Sequence, residues 1–97
     1  MELYQLKTFV TIAREKNLTR AAKVLHLSQS AISSQLKQVE GELGIVLFRR
    51  TARGMELTEN GQGLLPQVHY LLDAAGDLRQ RAMSMNRGGG ETVTIGL

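Results

Sequence analysis

Gln29, Ser30, Ser33, Ser34 and Lys37 recur at helical spacing, opposite an apolar stripe of Ile32, Leu36, Val39 and Leu43. On one helix they form a face of short neutral donors and acceptors that ends in a cation. A face of this kind can enter the major groove of a duplex, where a Gln amide matches adenine N6 and N7 and Ser hydroxyls reach base edges or phosphates. Lys37, a turn further on, suits a phosphate. The same residues also suit a merely solvated helix, and their spacing leaves both readings open. Arg49, Arg50 and Arg53 crowd into a short segment next to Gly54. A narrow minor groove attracts an inserted Arg, and phosphates attract the others. Arg49 and Arg50 have a plainer use as ion-pair partners of Glu40 or Glu42, whereas Arg53 has few neighbours of opposite charge in sequence. Arg20 and Ser28 complete the candidate DNA-binding set.

Other chemistries find little support. The 97 residues contain no Cys, so disulfides, thiol nucleophiles and thiolate metal sites are excluded. His26 and His69 are the only imidazoles, and no acidic residue is spaced to orient either of them. Glu40, Glu42, Glu56 and Glu59 make no metal-ligand pattern, and no Gly-rich loop links a strand to a helix. The chain is therefore expected to be no enzyme and to need no cofactor or metal. Its formal charge of +3 is mild, but six cations face two carboxylates between Arg20 and Arg53, a local balance of +4. That field favours an anionic polymer. Without a long apolar run or a signal peptide, the sequence reads as soluble and cytoplasmic, with no membrane partner.

The elements that must carry these residues follow from periodicity. Leu6, Phe9, Val10 and Ala13 predict a first helix from Glu2 to Lys16, ended by Asn17. Thr19 is expected to cap a short second helix bearing Ala21, Ala22 and Leu25, with Leu18 as its hydrophobic staple. A tight turn at His26-Leu27 leads to Ser28, the expected cap of the third helix, which Gly44 ends. Ile45 to Phe48 and Met55 to Leu57 read as two short strands around a basic loop from Arg49 to Gly54, a β-wing. The predicted class is mainly α, a winged helix-turn-helix over residues 1–58 in which three helices support a two-stranded wing.

Thr58 opens a long last helix, expected over 59–87. Leu64, Val68, Leu71, Ala75, Leu78, Ala82 and Met85 step along it by alternating fours and threes, a heptad seam. The seam fits a dimerisation surface, and packing against the first helix of the same chain is its alternative. Pro66 should kink this helix without ending it. Gly88 to Gly90 reads as a hinge, and Thr92 to Leu97 as a lone strand, so residues 88–97 are expected to be a hinge and the start of a further domain. A rival reading makes the heptad helix the working part of a protein-interaction module and the basic face a solubilising one.

Thr19-Arg20-Ala21-Ala22, then Leu25 to Ser33 with Gln35-Leu36, Glu40, Leu43-Gly44, Leu47-Phe48 with Arg50, and Leu57-Thr58-Glu59 with Gly61, form a pattern much more specific than any single motif. Over residues 2–87 this chain resembles the N-terminal region of the LysR-type transcriptional regulators. The resemblance implies a regulator of transcription that binds double-stranded operator DNA at an interrupted palindrome. It implies a homodimer joined through the linker helix, tetramers in full-length members, and a small-molecule effector held by a C-terminal domain, whose first strand Val93 to Leu97 resemble. By position it gives Gln29, Ser30 and Ser33 the base-reading role and Arg53 the minor groove. Many relatives carry Pro at position 30 and Arg at position 34, and the lost Arg at Ser34 removes a phosphate or guanine contact, so the operator preference does not carry over from them.

Overall fold

The computed structural model describes residues 1–89, which form α1 (Leu3–Glu15), α2 (Leu18–Leu25), α3 (Gln29–Leu43), β1 (Phe48–Thr51), β2 (Gly54–Leu57) and α4 (Glu59–Gly89). Three helices and a two-stranded antiparallel wing precede one long helix, as the sequence predicts. The apolar faces of α1, α2 and α3 meet in a single core of Leu6, Phe9, Ile12, Ala21, Ile32 and Val39. Leu47, Phe48 and Met55 attach the wing to it. Phe9 and Phe48 stack edge to face with centroids 5.5 Å apart, a geometry that contributes about 1 kcal/mol beyond burial.

Several boundaries differ from the expectation. Glu2 and Lys16 are the caps of α1 rather than its ends, and Lys16 adopts the left-handed conformation, with φ at 59°. The cap of α2 is Asn17, whose side chain accepts from Arg20 N, and not Thr19. Leu18 therefore sits inside the helix, buried, instead of ahead of it as a staple. Ser28 caps α3 by accepting from Ala31 N at 3.1 Å, and Gly44 ends it at φ 75°, both as expected. The first strand starts later than its β-branched run suggests, and the second one residue earlier than expected, at Gly54. Leu47 N donates to the Glu40 carboxylate at 2.7 Å and Leu47 O accepts from Thr58 N at 2.9 Å, so neither group is left for a ladder. Pairing begins at Phe48, opposite Leu57, and ends with Thr51 opposite Gly54. Arg49 and Arg50 are thus strand residues, and only Ala52 and Arg53 form the turn.

Three bonds clamp the base of the wing. Met55 N donates to Lys16 O at 3.0 Å, the Thr58 hydroxyl donates to Val46 O at 2.6 Å, and Glu40 holds the entry to β1. Gly54, at φ 115°, is pressed so closely on the Lys16 carbonyl that a side chain would collide with it.

Thr58 caps α4 by accepting from Gly61 N at 3.0 Å, and the helix runs through Pro66 without a break. It includes Gly88 and Gly89, which were expected in the hinge, while the strand expected over 92–97 lies outside the described residues. The heptad seam divides. Val68 is buried in the chain's own core and Leu64 packs against it, so these two residues, expected at a dimer interface, serve the intrachain contact with α1 instead. Leu71 and Leu78 are 47% and 71% exposed, and Ala82 is exposed as well. Periodicity registers an apolar stripe but not which neighbour covers each turn of it.

Candidate nucleic-acid interface

The site begins with the turn between α2 and α3. His26 closes it in the left-handed region, φ 58°, where its N–H bonds to Lys23 O and Leu27 N bonds to Ala22 O. A non-glycine residue there costs about 1–2 kcal/mol, which the buried contacts of Ala21, Ala22 and Ile32 offset. The short turn brings α2 close to the start of α3. Thr19 on α2 can then reach Gln29, whose Nε2 donates to Thr19 Oγ1 at 2.9 Å. Gln29 is exposed and keeps its second amide hydrogen and its oxygen, the pair that an adenine edge requires. Thr19 is therefore an orienting residue that the sequence reading assigned to a cap.

Ser30, Ser33, Ser34, Lys37 and Gln38 line one shallow concavity on α3. Ser30 and Ser34 are exposed and Ser33 half-buried, so the predicted reading face is assembled as a surface. Ser28 lies at its edge, with its oxygen committed to Ala31 N and 3.2 Å from the Ser30 hydroxyl. Its first role is thus to hold the helix end. The opposite face of α3 buries Ile32, Leu36 and Val39, so the helix cannot turn about its axis without exposing core. Two polar links to α1 fix it further: the Thr8 hydroxyl donates to Gln35 Oε1, and Gln5 Nε2 donates to Gln38 Oε1 at 2.7 Å. Gln38 went unnoticed in the sequence and Gln35 entered only as part of the family pattern, since their spacing with Ser34 and Lys37 gives only an extended polar flank.

The cations fall into two groups. Arg20 is engaged by Glu15, with one guanidinium nitrogen donating to the Glu15 carbonyl at 3.0 Å and another 3.8 Å from its carboxylate. That pair is exposed and worth at most a fraction of a kcal/mol, so Arg20 can exchange it for a phosphate. Lys37, Arg49, Arg50 and Arg53 enter no ion pair among the described residues. The glutamates expected to neutralise the wing are used elsewhere: Glu40 accepts from Leu47 N and Phe48 N, and Glu42 pairs with the N-terminal ammonium. Arg49 lies opposite Glu56 on the outer face of the ladder, whereas Arg50 pairs in register with Met55. Arg53 stands at the turn, its N–H donating to Thr51 Oγ1 at 3.1 Å.

His26 and His69 are exposed, no side-chain hydrogen bond orients either one among the described residues, and they lie apart in the chain. No described helix is long and apolar enough to cross a membrane.

A polar reading helix, a short partner helix and a basic wing on one frame define the winged helix-turn-helix class of DNA-binding domain. The family model described as bacterial regulatory helix-turn-helix protein, lysR family, matches residues 3–62. The chain belongs to the LysR family and carries its DNA-binding domain. It is 41% identical over 97 residues to the HTH-type transcriptional regulator BudR of Klebsiella aerogenes, a match covering all of this chain and 68% of BudR. The crystal structure of CbnR, a LysR family transcriptional regulator, superposes with a TM-score of 0.87 at 41% identity, over 91% of this chain and 30% of that one. The complex of the CbnR DNA-binding domain with DNA gives a TM-score of 0.81 at 40% identity, over 87% of this chain and 97% of that one. The chain thus spans less than a third of CbnR.

Proposed function

We propose that this chain binds double-stranded operator DNA sequence-specifically as a homodimer, with α3 in the major groove and the wing in the adjacent minor groove. The observation that carries this reading is the polar face of α3, left free by the core and flanked by Lys37, Arg50 and Arg53, none of them in an ion pair among the described residues. Gln29, Ser30 and Ser33 read base edges, Ser34 lies beside them, and Lys37, Arg20 and Arg50 hold the backbone while Arg53 enters the minor groove. Residues 1–58 act as the reading head and 59–87 as the dimerising stalk. A second copy covers the outer part of the seam, the exposed Leu71, Leu78 and Ala82 with the half-buried Ala75, beside the groove that Leu3 and Tyr4 form with α4. Two heads on a two-fold axis require half-sites about 34 Å apart or a multiple of that, which gives an interrupted palindrome. A helix of 31 residues is about 46 Å long and can span one such interval. The work is recognition and not catalysis, and it takes place in the cytoplasm.

Fluorescence anisotropy of labelled duplexes over a salt series tests the reading. Arg20, Lys37, Arg50 and Arg53 from two protomers predict a slope of log affinity against log salt of about −7. A duplex selected from a random pool should bind at least about a thousandfold more tightly than one of mixed sequence. Equal affinity for every duplex, or no salt dependence, refutes the proposal.

A further inference from the structure

We propose that Gln38 is a further DNA-contacting residue, donating to a backbone phosphate, and that the polarity of its amide is set from inside the protein by Gln5. The inference rests on the proposed function. Its starting point is the N-terminus of α1, where Glu2 N donates to Gln5 Oε1 at 2.9 Å. A backbone N–H can only donate, so this bond identifies the oxygen of the Gln5 amide without ambiguity. The other end of that amide is then Nε2, which donates across the α1–α3 interface to Gln38 at 2.7 Å. The Gln38 atom that receives it is the oxygen. Both hydrogens of Gln38 Nε2 are left to face outward.

Gln5 is 7% exposed, so water competes poorly for this relay. Gln38 itself is exposed and lines the same concavity as Ser30, Ser33, Ser34 and Lys37. That surface therefore gains a fixed pair of donors beside the Lys37 ammonium. The target follows from position. A recognition helix reads bases with its N-terminal residues. Gln38 lies nine residues beyond Gln29, about 14 Å along the axis, where the groove wall and not its floor is met. Phosphate oxygens accept only, and a donor with no acceptor of its own turned outward matches them.

A neutral donor releases no counterion, and that separates it from its cationic neighbour. Anisotropy with a fluorescein-labelled duplex of mixed sequence should show Gln38→Ala weakening binding by the dimer about tenfold to a hundredfold, the factor of two neutral hydrogen bonds, with the salt slope unchanged. Lys37→Ala should flatten that slope by about 2 for the dimer. Gln5→Glu leaves only acceptors at the relay, so the Gln38 amide reverses and turns its oxygen toward the phosphates. Its effect should match or exceed that of Gln38→Ala and should vanish in the Gln38→Ala background, with thermal melts confirming that both variants fold. Unchanged affinity in Gln38→Ala, a changed slope, or a Gln5→Glu effect that persists without Gln38 overturns the inference. Absence of binding by the parent chain overturns the proposed function instead.

Discussion

Glu40→Ala should be among the most damaging single substitutions at a half-buried polar position, although its side chain faces neither the groove nor the centre of the core. The carboxylate accepts from Leu47 N at 2.7 Å and from Phe48 N at 3.4 Å. Leu47 is fully buried and Phe48 is 6% exposed, so water cannot replace the lost acceptor. A short hydrogen bond to a charged group contributes about 1.5–3 kcal/mol, and stranding the second, longer donor adds about 1. The expected loss is therefore about 2–4 kcal/mol, a large part of the total stability of about 5–15 for a chain of this size. Thermal denaturation should fall by about 10–20 °C at matched protein concentration. Glu40→Gln keeps an acceptor in place and should cost only about 1 kcal/mol. Urea unfolding of the three proteins gives the comparison, and amide exchange at Leu47 localises it. An Ala variant within about 0.5 kcal/mol of the parent would show that the wing does not depend on this clamp. A Gln variant as unstable as the Ala variant would show that charge, and not the placed acceptor, matters.

Gly54→Ala forces a side chain into φ 115° and onto the Lys16 carbonyl, and should cost about 1–3 kcal/mol in a thermal melt while displacing the wing. Val68→Ala removes two buried methyl groups and should lower stability by about 2 kcal/mol. Leu78→Ala, at a position 71% exposed in one chain, should leave monomer stability within about 0.5 kcal/mol yet weaken self-association in sedimentation equilibrium. Arg53→Ala should reduce the salt slope by about 2 for the dimer and weaken binding most at sites with A·T-rich flanks, as read by anisotropy.

The helices and their order were legible in the sequence because core contacts repeat with the helical period. Leu6, Phe9, Ile32 and Val39 announce their faces without knowledge of any partner. The polar outer face of α3 was legible for the complementary reason: Gln29, Ser30, Ser33, Ser34 and Lys37 are what the core leaves over. Three features were not. Asn17 and Thr19 are both good caps two residues apart, and local chemistry does not rank them. The start of the wing depends on Glu40 and Thr58 taking the backbone groups of Leu47, a tertiary choice invisible to β-propensity at Ile45 and Val46. The heptad stripe is continuous, but Val68 is buried in the chain's own core while Leu78 faces outward, a division set by tertiary packing and not by the period.

That early anchorage gives α4 a mechanical character. From Leu72, packed against the core, to Gly89 the helix projects about 26 Å, a crank arm keyed to the body instead of hung from it. A torque applied at the free end cannot be absorbed by a swivel at the base, since twisting Val68 out of its seat exposes core. It is delivered to the whole head. A tilt of about 10° at the seat corresponds to roughly 4 Å of travel at the tip over this arm length, so a small push at the far end tilts α3 and the wing together.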